Sequence, residues 1–165
     1  MALRAPEPLA EAHELAEFTS GVNSLDDWLK RRARGNQASG ATRTFVAADG
    51  NVVVAYYAVA SGAIGTSGAP GRFRRNMPEP IPVAVLARLA IDRAWQGRGL
   101  GRALFRDCVG RVLHAADSIG IRGILVHAIS EHAKTFYLAL GFEPSPLDAM
   151  TLMVTLADAR TILAA

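Results

Sequence analysis

A single cysteine, Cys108, among 165 residues excludes an internal disulfide. It falls in an amphipathic helical pattern away from any metal-ligand spacing, so it is expected as a small buried hydrophobe in a reducing cytosol. An apolar signal core is also missing, because Glu7, Glu11, Glu14 and Glu17 occupy the stretch where export would need one. The longest uncharged run begins at Val52 and turns rich in Gly, Ser and Thr after Ala60, too broken for a transmembrane helix. The four histidines and one cysteine form no ligand cluster, and no metal is expected. The expectation is a soluble cytoplasmic protein with no membrane partner.

Net charge is scarce too, at +3, but the total conceals a segregation. Residues 30–111 hold 14 basic and four acidic side chains, a local +10, whereas the flanks hold four basic and eleven acidic, or −7. With 50% hydrophobic residues, 20% charged, 15 Gly and 8 Pro, neither a wholly disordered chain nor a collagen fits. The length suits one domain over residues 1–165 with a real core.

The first segment that reads as ordered is a short helix over residues 24–34. Ser24 would cap it, Asp27 would reciprocate, and Gly35 with Asn36 would stop it. Trp28 and Leu29 would anchor that helix, leaving Lys30, Arg31 and Arg34 toward solvent. Residues 42–48 and 52–60 flank Asp49-Gly50-Asn51 and predict a hairpin. A long loop with Arg72, Arg74 and Arg75 is expected over residues 61–82. An apolar strand over residues 83–92 then meets a glycine turn. The helix after it reaches about residue 116, on a stripe of Leu100, Leu104, Cys108 and Val112. A buried strand over 121–129, parallel to 83–92, and a helix over 130–140 ended by Gly141 follow. An alternating strand over 150–156 closes the sheet, and the remaining residues read as a weak tail.

The turn, Gln96-Gly97-Arg98-Gly99-Leu100-Gly101, sits between strand and helix, where backbone amides can face a phosphate at close range. Its glycine spacing does not fit the dinucleotide fingerprint, and the chain has no Gly-Lys-Ser or Gly-Lys-Thr of a nucleoside-triphosphate loop. Gln96, Gly99 and Gly101 do match the pyrophosphate-binding signature of the GCN5-related N-acetyltransferases (GNAT). Ala133-Lys134-Thr135-Phe136-Tyr137-Leu138-Ala139-Leu140-Gly141-Phe142 resembles that family's helix with an aromatic pair and a Gly-Phe.

The resemblance implies an α/β fold with a mixed central sheet, a splayed parallel strand pair and helices on both faces. It implies acetyl-CoA as cofactor, bound along Leu89, Ala90 and Ile91 and by Gln96, Gly97, Arg98, Gly99, Leu100, Gly101 and Arg102. The Leu89 amide is the family-suggested donor to the acetyl carbonyl. Tyr137 would protonate the departing thiolate; the alternative is a core tyrosine bonded to a carbonyl.

Asp26-Asp27-Trp28-Leu29, Tyr56-Tyr57, Pro80-Ile81-Pro82, Val126-His127-Ala128 and Gly141-Phe142-Glu143-Pro144 extend the likeness over nearly the whole chain. They resemble the toxin acetyltransferases that are paired with ribbon-helix-helix antitoxins, form homodimers and acetylate the α-amino group of aminoacyl-tRNA to stop translation. Lys30, Arg31, Arg34, Arg72, Arg74, Arg75, Arg88 and His127 are then candidate substrate contacts. The basic residues could hold RNA, meet an acidic antitoxin stretch, or form a solvated face. Arg88 either lines the open groove or meets an acid. His127 either touches the acceptor or is a satisfied core or edge histidine. The competing functions are an acetyltransferase for a small amine or a protein N-terminus, and a noncatalytic coenzyme or RNA binding module.

Overall fold

The computed structural model describes residues 3–164. In chain order the elements are β1 (Glu7–Pro8), α1 (Asn23–Arg31), α2 (Ala33–Ser39), β2 (Arg43–Asp49), β3 (Val52–Ile64), α3 (Gly71–Arg74) and β4 (Ile81–Ile91), followed by α4 (Leu100–Ala115), β5 (Gly123–His127), α5 (Glu131–Ala139), β6 (Glu143–Pro144), β7 (Thr151–Thr155) and α6 (Leu156–Ala164). The strands order as β1-β2-β3-β4-β5-β7-β6, a mixed sheet flanked by helices. β4 and β5 run parallel, with Val83 to Leu86 opposite Gly123 to Val126, as the sequence pattern predicts. β1·β2, β2·β3, β5·β7 and β6·β7 are antiparallel. The chain forms two compact units, the first of residues 1–60 and 87–108, the second of 61–86 and 109–165.

In the first unit the hairpin forms where expected. Gly50 supplies the positive φ of 64° that its turn requires, and a bulge at Ala47/Ala48 shifts the register. Leu25, Leu29 and Ala33, each four residues apart, bury one helical face with Val46, Val53, Tyr56 and Ala90. Tyr56 stacks on Trp28 at 6.0 Å, meets the edge of Phe18, and donates its hydroxyl to the Leu25 carbonyl at 2.6 Å. Burial raises that phenol's pKa far above its usual value.

Three local expectations fail in this unit. Residues before Ser24 are ordered, and Leu9, Leu15 and Phe18 belong to the core. Ser24 caps nothing, since α1 begins after Val22 without a side-chain cap. The polar anchor is Asp26, buried, whose carboxylate accepts the Ser20 amide at 3.0 Å and the Ser20 hydroxyl at 2.6 Å. Helical chain also passes Gly35, because Asn36 donates to Arg32 and burial of Ala33 favours continuation; Gly40, at φ 84°, ends α2.

In the second unit the stretch expected as a loop over residues 61–82 is mostly structured. β3 runs to Ile64, a 3₁₀ turn covers Thr66–Gly68, α3 follows, and β4 starts at Ile81. Ala69 and Phe73 draw it inward, packing with Ile81, Val83, Leu125 and Met153. The Glu79 carboxylate accepts the Thr66 amide at 2.6 Å, which lowers its pKa. α5 is capped by the Ser130 hydroxyl, which accepts from Ala133, and Gly141 follows it at φ 103°. β7 is buried at all five residues instead of alternating. The expected weak tail is α6, with Ala159 fully buried and the Asp158 amide capped by the Thr155 hydroxyl.

A Cβ at Gly123 would collide with the Val154 carbonyl and the Phe73 ring. Gly123→Ala should therefore lower unfolding stability by about 1–3 kcal/mol in urea titration, as overpacking does.

Candidate active site

The glycine turn is assembled from backbone outward within the first unit. β4 delivers Leu89 and Ile91 half-buried and Ala90 buried, then stops at Asp92. The Asp92 carboxylate accepts from the Ala94 amide at 3.0 Å and the Thr19 amide at 3.1 Å, so Asp92 is a turn cap. After a 3₁₀ turn over Arg93–Trp95, the Gln96 side-chain amide donates to the Ser20 carbonyl at 2.8 Å and the Ile91 carbonyl at 2.9 Å. Gln96 thus braces the turn, its amide hydrogens directed at protein carbonyls.

Gly97 and Gly99 take φ of 79° and 80°, and a Cβ on either would meet nothing within 4 Å. The space beside them is open, and α4 begins at once with Leu100. The first amides of a helix lack intrahelical acceptors and carry the positive end of its dipole, so this turn fits a pyrophosphate. Arg98 and Arg102 are exposed beside it, and the Arg98 guanidinium lies 4.7 Å above the Trp95 ring. Thr19, Ser20 and Trp95 were absent from the sequence-based site. The first two contribute only backbone atoms, which leave no residue-type signal.

Other basic candidates in this unit divide by what they touch. Lys30 and Arg31 are exposed in the last turn of α1, where cations suit the helix dipole. Arg34 donates to the His13 carbonyl at 2.6 Å and more weakly to Ala10 and Glu11, pinning the N-terminal segment. Arg88 meets no acid among the described residues. It lies 5.2 Å above the Trp28 ring and donates to the Ala87 carbonyl at 2.8 Å.

In the second unit Tyr137 is buried on α5, edge-on to Phe136 at 5.1 Å and to Phe142 at 5.3 Å. Its carbonyl accepts the Phe142 amide, which ties the aromatic pair to the Gly-Phe that follows. His127 is an exposed histidine at the end of β5, 2.9 Å from the Thr151 hydroxyl oxygen. That hydroxyl donates to Asp148 at 2.8 Å, so His127 Nδ1 carries the proton toward it. The Met150 amide and the Thr151 hydroxyl, with the charges of His127 and Lys134, lower the Asp148 pKa. Arg72 pairs with Asp158, whereas Arg74 and Arg75 are exposed. No group of three His, Cys, Asp or Glu is arranged for a metal among the described residues.

A strand, a braced glycine turn and the start of a helix form a place suited to the pyrophosphate of a cofactor. Residues 40–144 match the family model described as an acetyltransferase (GNAT) domain, and the chain belongs to that family. Among curated relatives, the tRNA-acetylating toxin of Mycobacterium tuberculosis (strain ATCC 25618 / H37Rv) is 50% identical over 96% of this chain and 96% of its own. The structure of AtaT complexed with acetyl-methionyl-tRNAfMet superposes with a TM-score of 0.90 at 26% identity, covering 98% of this chain and 99% of that one. A mutant AtaT toxin bound to the C-terminus of the antitoxin AtaR and acetyl-CoA gives 0.84 at 25% identity, covering 100% of both.

Gln96→Ala should weaken acetyl-CoA binding about tenfold in calorimetry, since two bracing bonds are worth about 1–3 kcal/mol together. The Asp148 link follows acid titration. Its folded pKa lies below 3.8, so its contribution is full above that value and lost as pH falls through the folded pKa. The His127 ring resonances should show this low-pH inflection by NMR and lose it in Asp148→Asn.

Proposed function

We propose that this protein is an N-acetyltransferase toxin that moves the acetyl group of acetyl-CoA to the α-amino group of aminoacyl-tRNA and so blocks translation. The observation that carries this reading is the full-length match to the mycobacterial tRNA-acetylating toxin, joined to a turn whose open glycines and helix amides suit pyrophosphate. A homodimer, a cytoplasmic location, one functional domain and inhibition by a ribbon-helix-helix antitoxin belong to the same proposal. No helix among the described residues is long and apolar enough to cross a membrane.

Acetyl-CoA supplies the activated acetyl thioester. The amides of Gly97 to Arg102 would hold its pyrophosphate, with Arg98 and Arg102 offsetting phosphate charge. Leu89, Ala90 and Ile91 would offer backbone groups to the pantetheine, and the Leu89 amide would donate to the acetyl oxygen. The aminoacyl α-amine is less basic than lysine because the neighbouring ester withdraws electrons, so a useful fraction is neutral near pH 7 without a strong protein base. The amine would form the new C–N bond as the C–S bond breaks, the Tyr137 hydroxyl would give its proton to the sulfur, and the proton lost by the amine nitrogen would return, directly or through water, to Tyr137. Exposed Lys30 and Arg31 supply sequence-independent attraction to the RNA backbone.

Labelled acetyl-CoA incubated with a pool of charged tRNA should yield an acetylated aminoacyl ester after digestion. Labelling of a small amine without that ester would overturn the tRNA reading. Tyr137→Phe should lower turnover about 100-fold or more while leaving coenzyme affinity nearly unchanged, as loss of a general acid does.

A further inference from the structure

The second unit contains a cavity of about 300 Å³ lined by Arg72, Arg75, Asn76, Arg122 and Thr155. None of the glycine-turn residues lines it. Its arginines come from separate places, two from the segment around α3 and one from just before β5.

Arg122 is fixed in advance. Its Nε donates to the Phe73 carbonyl and its Nη2 to the Arg72 carbonyl, both at 2.8 Å, and its guanidinium lies 5.9 Å from the Phe73 ring centre. Two backbone carbonyls and a ring therefore hold the fork, while its Nη1 group makes no hydrogen bond among the described residues. Arg72 is held by a bidentate pair with Asp158 at 2.8 and 2.7 Å, which lowers the Asp158 pKa and leaves Nη1 without a hydrogen bond among the described residues. Arg75 is exposed and makes no hydrogen bond or ion pair among the described residues. Three guanidinium groups thus face one contacting carboxylate, with Glu143 acting on Arg72 from farther off.

We propose that this cavity is a phosphate site that seats one phosphodiester of the tRNA backbone. The inference rests on the tRNA reading given above and adds a location and a new residue, Arg122, to it. The chemistry favours phosphate over a side-chain carboxylate. Its tetrahedral oxygens can accept from guanidinium groups that approach along different directions, whereas one planar carboxylate is satisfied by a single fork, as Asp158 already is by Arg72. Fixing Arg122 beforehand removes the ordering cost that a free arginine incurs on binding. Asp158 then tempers the site, holding one of its three positive charges while the cavity is empty.

The test uses the full chain, uncharged tRNA and acetyl-CoA, with Arg75→Glu and Asp158→Asn. Arg122 is left intact because its loss would also release the carbonyls of Arg72 and Phe73. The Arg72–Asp158 pair is exposed, so Asp158→Asn should fold normally, which a melting curve checks. Arg75→Glu should weaken tRNA binding about fivefold or more and reduce the salt dependence by about one phosphate contact. Asp158→Asn should strengthen tRNA binding about two- to fivefold, as removal of a competing anion does. Acetyl-CoA affinity should stay constant in both. Unchanged tRNA affinity in both variants would overturn the proposal. So would a parallel change in acetyl-CoA affinity, which would assign the cavity to coenzyme phosphate, or a change confined to binding of an antitoxin peptide. If the native chain fails to acetylate charged tRNA, the underlying reading is lost; if it acetylates tRNA and both variants bind normally, only the cavity's role is lost.

Discussion

One side-chain amide holds the glycine turn of the first unit in place. Gln96 reaches back to the carbonyl that ends β4 and across to Ser20, so strand end, N-terminal segment and glycine turn become one object. Asp92 repeats the connection through Thr19 and Ala94. Without these bonds, Gly97 and Gly99 would make the turn too free to aim the amides of α4. The cost of glycine's flexibility is met by polar groups outside the turn, which leaves the space beside Gly97 and Gly99 open.

Ser20 serves this arrangement twice. Its carbonyl receives Gln96, while its amide and hydroxyl are fixed on buried Asp26 of α1. The first helix and the glycine turn are therefore coupled through one residue, and Leu25, Leu29 and Phe18 supply the apolar support beneath. A low-dielectric setting makes the Asp26 bonds strong and makes their loss costly.

The arginines of the basic centre do unlike things. Arg34 pins the N-terminal segment and Arg88 lies over Trp28, so part of the local +10 is spent on architecture. Arg98 lies over Trp95, while Lys30, Arg31, Arg74 and Arg75 remain exposed. Arg122 lies outside the basic segment by sequence yet lines a cavity with Arg72 and Arg75. Counting charges along the chain located the electrostatic character but could not assign its members, because assignment depends on which carbonyls and rings lie nearby.

Elements governed by neighbours in sequence were legible. The Gly50 turn, the amphipathic stripe of α4 and the Gly141 stop follow from local geometry, and the glycine turn with the Tyr137 helix carried the family likeness. Ser24 misled because any serine before an apolar run resembles a cap, while the real anchor, Asp26 on Ser20, required the chain to fold back over six residues. Residues 61–82 read as loop because glycine and proline dominate them, yet burial of Ala69 and Phe73 orders them. The last residues form a helix once Ala159 is buried. The sequence alone determined the hairpin, the strand, glycine turn and helix around residues 83–116, and the family. Only tertiary structure decided which arginines are free, which carbonyls brace Gln96 and where Arg122 meets Arg72 and Arg75, because such contacts join residues far apart in the chain through packing that no local pattern encodes.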